Sequence, residues 1–369
     1  MRILLASPYD LTHPGGVTSH VFDLAHQFQE MGHSIVVAGP AGNGRLPQNG
    51  YTHHLGATMR FLSPGDSARV NINPFMILTV RAFLAEHQFD VLHLHEPFIP
   101  FIGPSFLRLA DGLKIGTFHT WREGPHLPYL AFWPLIAYWN RMLDGRVAVS
   151  PAAHKTISRY FPGEYKIIPN GVNFERFAAP ARPPCHLVDE RPTVLFVGRI
   201  EARKGIPYLL NAFKLVKKSI PSARLVIVGE GGLRAEYIRL AREMALDDVS
   251  FEGFVEPERL TGYYHRADVF CSSSTVNESF GITLLEAMAA CTPVVATTIN
   301  GLMSEADNEK LGLVVPPRDA QALAGGIVRL LEDRQSAERL AEAAQARARC
   351  FDWANVATQL IDYYKSLGA

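Results

Sequence analysis

The sequence predicts an α/β fold made of two Rossmann-like domains, each a doubly wound parallel sheet. Three observations predict it. Short continuous apolar runs alternate with helix-length amphipathic segments, which is the pattern of parallel strands covered by helices. This grammar occurs twice, restarting after Pro192. The 369 residues are 47% hydrophobic, enough for two separate cores.

In the first half, residues 3–7 form the opening strand, followed by a Pro/Gly loop and a helical pattern over residues 17–31 that Gly32 and His33 end. Residues 34–38 are the next strand and complete a βαβ unit. Further apolar strands are expected at 91–94, 115–118 and 146–149. The second half repeats this, with a strand at 194–198, a helix at 205–219 and a strand at 225–229. Strands at 249–252, 269–271 and 293–296 follow, with helices at 257–266, 280–290, 320–332 and 335–349. The expected division is an N-terminal domain over 1–170, a hinge or linker over 171–185 rich in proline and small residues, and a C-terminal domain over 186–349. The terminal helix, 350–369, is expected to pack back on the first domain.

A formal charge of zero gives no global reason to expect nucleic-acid binding. Cys185, Cys271, Cys291 and Cys350 form no CxxC pair, so neither a zinc knuckle nor a disulfide framework is signalled, and a cytoplasmic location is expected. The opening apolar run is too short for a signal peptide, and no run reaches about 18 apolar residues, so any membrane contact is expected to be peripheral.

Glu278 and Glu286 stand eight residues apart around a glycine and an apolar run. A helix over 280–290 would set them roughly 12 Å apart along its axis, with the free N–H groups of its first turn between them. That suits a ligand with a central diphosphate, a nucleotide sugar better than a bare nucleotide. In such folds ligands bind at the carboxyl ends of the strands, here a shared cleft. Gly15 and Gly16, in Pro14-Gly15-Gly16-Val17, let backbone approach a phosphate at a helix start. The stretch is not GxGxxG and no acidic residue ends the second strand, which excludes the dehydrogenase reading. Arg199 and Lys204, just past the second domain's first strand, could neutralise a departing diphosphate. His93 and His95 read as core or cleft packing, whereas His119 ends a strand facing the cleft. With no Asp-x-Asp, no metal is expected and the two cations take its place. The aromatic segment 127–139 reads first as a buried helix closing an acceptor pocket and alternatively as an interfacial patch.

Taken in order, Gly15-Gly16-Val17, Phe118-His119-Thr120, Pro169-Asn170-Gly171-Val172, Gly198-Arg199 with Lys204-Gly205, and the stretch from Glu278 to Glu286 resemble retaining glycosyltransferases of family 4, which have the GT-B fold. Tyr9, Ser19-His20, His93-Leu94-His95-Glu96-Pro97 and Phe351-Asp352-Trp353 bring the chain nearest to the phosphatidyl-myo-inositol mannosyltransferases. The resemblance implies a nucleotide-sugar donor, with GDP-mannose expected, and an inositol-phosphate lipid or similar membrane acceptor at the inner face of the cell membrane. It assigns the donor to Gly15, Gly16, Arg199, Lys204, Val255, Glu278 for the sugar hydroxyls, Ser279, Phe280, Gly281, Ile282, and Glu286 for the ribose. His119, Arg199, Lys204 and Glu278 carry the catalytic role, while Tyr9, Arg69, His119 and Arg122 lie toward the acceptor. The sequence departs from the pattern beside Val255, where Pro257 and Leu260 replace an Asp and a Lys, and around residues 75–81, where a basic cluster is nearly missing. The implied chemistry is front-face attack, the leaving phosphate taking the acceptor's proton, with domain closure about the region 169–184. A UDP-glucose-dependent transferase acting on diacylglycerol or a soluble glycan, and a non-catalytic nucleotide-sugar-binding protein, are the alternatives.

Overall fold

The structure, a computed structural model, describes residues 1–13, 15–42, 44, 49–63, 66–276, 278–298, 301–303 and 307–369. The chain divides into two compact units, Met1–Gly171 with Trp353–Ala369, and Val172–Asp352.

The first unit contains β1 (Arg2–Ala6), α1 (Gly16–Glu30), β2 (Ser34–Gly39), β3 (Thr52–His54), β4 (Met59–Ser63), β5 (Asp66–Val70), α2 (Met76–Glu86), β6 (Val91–His95) and α3 (Ile102–Leu109). It continues with β7 (Leu113–Phe118), α4 (Leu127–Ala131), α5 (Trp133–Arg141), β8 (Gly145–Ala148), α6 (Pro151–Ser158) and β9 (Lys166–Ile167). Seven of these strands form a parallel sheet ordered β3-β2-β1-β6-β7-β8-β9, and β4 and β5 form a separate antiparallel hairpin. Strand side chains alternate between faces, and both faces are covered. Ile3 and Leu5 join Val21, Leu24 and Phe28 of α1, together with Val356 and Leu360 of the terminal helix, Trp353–Ser366. Leu4 and Ala6 join Val80 and Phe83 of α2 and Phe106 of α3.

The second unit contains α7 (Phe174–Ala178), β10 (Thr193–Val197), α8 (Ile206–Ser219), β11 (Arg224–Val228), α9 (Arg234–Glu243), β12 (Val249–Gly253), α10 (Pro257–Arg266) and β13 (Val269–Ser272). After these come α11 (Ile282–Ala289), β14 (Val294–Thr297), β15 (Leu313–Val315), α12 (Ala320–Glu332) and α13 (Arg334–Ala348). The terminal helix of the first unit is α14. The parallel sheet runs β12-β11-β10-β13-β14-β15. Val194 and Phe196 face one core, Leu195 and Val197 the other. Both sheets are therefore doubly wound, as expected. Each reverses its winding at one point, between β1 and β6 and between β10 and β13, and the loops leaving those four strands are where such folds hold ligands.

Two expectations are corrected. The helix read over 280–290 begins at Ile282, because Gly281 takes the left-handed region with φ +94°, so Glu278 lies in a loop and the 12 Å axial separation does not apply. The segment 127–139 is not one buried helix. Pro128 and Pro134 each sit in the first turn of a short helix, α4 and α5, with Phe132 between them. Leu127, Leu130, Phe132, Trp133, Leu135 and Tyr138 are exposed, while Tyr129 and Ile136 are the large side chains buried toward the core.

Candidate active-site residues

In the second unit the chain leaves β10 at Gly198 and makes a single 3-10 turn, Ala202–Lys204, before α8. Gly205 ends this turn with φ +68°, and a Cβ there would lie 2.0 Å from the Ser273 carbonyl oxygen, so only glycine fits. That close approach lets the loop after β13 lace onto the turn. Ser273 Oγ donates to the Lys204 carbonyl at 2.9 Å, and the Thr275 amide donates to the Arg203 carbonyl at 2.8 Å.

The lacing brings Glu278 against Lys204, whose ammonium donates to Oε2. Ser274 Oγ donates to the same oxygen at 3.0 Å, and the Arg203 guanidinium stands 3.6 Å away. Glu201 is paired with Arg199 on one side and with Arg203 on the other. Burial alone would push the Glu278 carboxyl up, but Lys204 and Arg203 outweigh it and hold the group below the usual glutamate value. Lys204 commits one of its three hydrogens to Glu278, which leaves donors for an anion.

The N-terminus of α11 has no side-chain cap and no acid in its first turn, so among the described residues no side chain takes up its leading amides. Ser279, Phe280, Gly281 and Ile282 run directly from Glu278 into this end. Glu286, one turn on, is oriented by the buried Tyr264 of α10, whose hydroxyl donates to Oε2 at 2.6 Å. Val255, between β12 and α10, packs against the core beside the exposed Phe254.

In the first unit, α1 opens at Gly16 behind Gly15, again with no side-chain cap and no acid in the first turn. Gly15 has extended backbone, and a Cβ there would meet nothing closer than 3.9 Å, so internal packing leaves room at this helix end. Pro14 lies outside the described residues. One turn below Gly16 comes His20, whose ring sits 5.0 Å from that of His119 and 5.2 Å from that of His95. His119 follows β7, and its Nε2 is hydrogen-bonded to His95 Nδ1 at 3.0 Å. His93 stacks on His95 and is tied to Tyr364 and Thr117, which makes it the packing residue that the sequence suggests.

Burial, reinforced by neighbouring imidazoles, pushes His95 and His119 well below the ordinary histidine value, and burial pushes His20 to about 4. All are neutral near pH 7. Ring nitrogens of His20, His95 and His119 lie within 4.8 Å of one another, the one such grouping of metal-ligand side chains among the described residues. Two of the three are already bonded to each other.

Tyr9 and Arg69 are brought together by pairing of Tyr9 with Val70 and by the Asp10 amide, which donates to the Arg69 carbonyl at 3.0 Å. Arg69 is exposed and stands 4.0 Å from the buried Asp10, whose carboxylate is fixed by Thr12, Gly42 and Thr58. The Arg122 amide donates to Thr156 Oγ1 on α6 at 3.0 Å. The sequence reading missed Glu96, His20, Asp10, Glu201, Arg203 and Tyr264. Glu201 and Arg203 carried a visible signal, their place in the charged loop between Arg199 and Lys204, and His20 and Glu96 stand in the stretches that carry the resemblance without having been given a role.

Comparison with known proteins adds to this geometry. The model of Glycosyltransferase Family 4 matches residues 14–176, and that of Glycosyl transferases group 1 matches residues 181–347. The phosphatidyl-myo-inositol mannosyltransferase of Mycobacterium tuberculosis (strain ATCC 25618 / H37Rv) is 36% identical over 380 residues, covering 100% of this chain and 97% of its own. That of Mycolicibacterium smegmatis is 34% identical over 374 residues, covering 100% and 94%. Sucrose-phosphate synthase from Thermosynechococcus elongatus superposes with a TM-score of 0.79 over 99% of this chain and 98% of its own, at 24% identity, a likeness of fold. With both halves matched and relatives of this identity along its whole length, the chain belongs to the family 4 glycosyltransferases of GT-B fold.

Proposed function

We propose that this glycosyltransferase moves mannose from GDP-mannose to a phosphatidyl-myo-inositol lipid with retention at the anomeric carbon. The observation that carries the reading is the largely buried Lys204–Glu278 pair, set before an uncapped helix end and flanked by Arg199 and Arg203. A diphosphate accepts from the α11 amides, Lys204 and the neighbouring guanidiniums, Glu278 accepts from sugar hydroxyls, and Glu286, pre-set by Tyr264, accepts from a ribose. The relatives' names supply mannose and the lipid. In front-face transfer the bond from C1 to the phosphate oxygen breaks, the bond from C1 to the acceptor oxygen forms, and the acceptor's proton goes to the departing phosphate. The protein's own contribution is position and charge.

No described helix is long and apolar enough to cross a membrane. The exposed rings of Phe132, Trp133 and Tyr138, with the exposed cations Arg141 at the end of α5 and Arg122 and Arg159 in the neighbouring segments, suit contact with an anionic lipid surface. Incubation with labelled nucleotide sugars and phosphatidylinositol vesicles tests the function. The expected product is a mannosylated phosphatidylinositol made from GDP-mannose with the α configuration. Transfer of glucose from UDP-glucose instead, or a β product, overturns the reading. Replacing Phe132 and Trp133 with serine is expected to weaken vesicle binding about tenfold or more, while transfer to a water-soluble inositol phosphate stays at the wild-type rate; unchanged flotation with vesicles rejects the membrane role.

A further inference from the structure

Glu96 follows β6 in the left-handed backbone region, φ +46°, a conformation that a non-glycine residue holds only when its surroundings dictate it. Its side chain is buried, and burial pushes the carboxyl above the usual glutamate value. One oxygen, Oε1, accepts three hydrogen bonds at 2.8 Å each, from the amide of His119, the amide of Thr120 and the Thr120 hydroxyl. The residue before it, His95, holds the His119 imidazole at Nε2. Two consecutive residues at the end of β6 thus grip His119 by its main chain and by its ring.

The amides of His119 and Thr120 sit past the last residue of β7, where the sheet ladder no longer supplies acceptors. A buried amide without an acceptor is costly, and Glu96 is the side chain that meets both. We propose that Glu96 is a positioning residue, which fixes the backbone turn that presents His119 and acts through its acceptor geometry rather than its charge. The proposal deepens the transferase reading, on which only its kinetic test rests.

In the full chain, Glu96→Gln keeps a carbonyl acceptor at the same reach, Glu96→Ala removes it, and Thr120→Val removes one of three donors with little change of shape. Hydrogen exchange at the His119 and Thr120 amides is expected to speed up about tenfold or more in Glu96→Ala and to stay near wild type in Glu96→Gln. For transfer, kcat is expected to fall about 10–100-fold in Glu96→Ala with KM nearly unchanged. Thr120→Val should fall between Glu96→Ala and wild type, and Glu96→Gln should recover most of the rate. Equal loss in Glu96→Gln and Glu96→Ala assigns the effect to charge and overturns the proposal, as does unaltered exchange in Glu96→Ala. If Glu96→Ala does not fold, the order wild type, Glu96→Gln, Thr120→Val in exchange decides it. A wild-type protein that transfers nothing removes the functional reading while the exchange measurement still judges Glu96.

Discussion

Lowering the pH from 7 to 5 is expected to destabilise the first unit by several kcal/mol. His20, His93, His95 and His119 are packed around β6 and β7, and burial is the leading cause that depresses each. His20 is pushed to about 4 and His93 to about 3, against 6.5 in an unfolded chain. Between these values the unfolded chain binds more protons than the folded one. The stabilisation is therefore complete above about pH 6.5 and is lost as the pH falls toward the folded values. For His20 the gap is worth about 3 kcal/mol in full, of which about 2 is lost by pH 5. Glu96 works the other way, since its raised value stabilises the fold as pH falls, so it offsets part of the loss. The second unit contains two of the fourteen histidines, His186 and His265, and neither belongs to a buried cluster. Trp121, Trp133, Trp139 and Trp353 all belong to the first unit, so tryptophan fluorescence in urea reports its unfolding selectively. The His20 ring packs edge-on against Trp353, and the one side chain that favours its protonated form is that of Asn170, too weakly to offset burial. His20→Phe keeps that packing and should shrink the loss between pH 7 and 5 by about 2 kcal/mol. The same pH slope in wild type and variant would count against the histidine origin.

What the sequence made legible was set by local pattern. Runs such as residues 3–6 and 194–197 announce strands buried on both faces, and the carboxyl ends of those strands point to Gly16, Arg199 and Lys204. Glu278 was legible from its place beside a glycine and an apolar run, and the structure brings it to Lys204, 74 positions earlier. Partners fixed by tertiary packing were not legible. Tyr264 looks like any core aromatic of α10 until it meets Glu286, and Glu96 looks like a loop acid until the register of β6 with β7 sets it under the His119 amide. Arg69 depends on the hairpin of β4 and β5, whose strands lack the long apolar run that marks the sheet strands. The exposed rings of 127–139 misled for a related reason. Aromatic content signals a core on average, and only the breaks at Pro128 and Pro134 show that most of these side chains have nothing to pack on.

A double-mutant cycle at Lys204 and Glu278 is expected to separate stability from turnover. Glu278 is buried, Lys204 is nearly so, and each partly neutralises the other. Lys204→Met leaves Glu278 with Ser274 and with Arg203 at 3.6 Å, so the carboxylate keeps some compensation. Glu278→Gln leaves an ammonium next to the Arg203 guanidinium without its main counter-charge. Removing one partner of a buried pair costs about 3–5 kcal/mol, whereas replacing both is often close to neutral. Lys204→Met is therefore expected near the lower end of that range and Glu278→Gln near the upper end. The double variant should recover most of the loss, read as the midpoint of unfolding in urea. Turnover should not recover with it. If Lys204 supports the departing diphosphate and Glu278 the donor sugar, each single variant loses about 100–1,000-fold in kcat, and the double variant stays at least as inactive. Restoration of both stability and transfer in the double variant would show that the pair only holds the loop after β13 against the turn before α8. A single variant with full activity would remove that residue from the catalytic machinery, whatever its effect on folding.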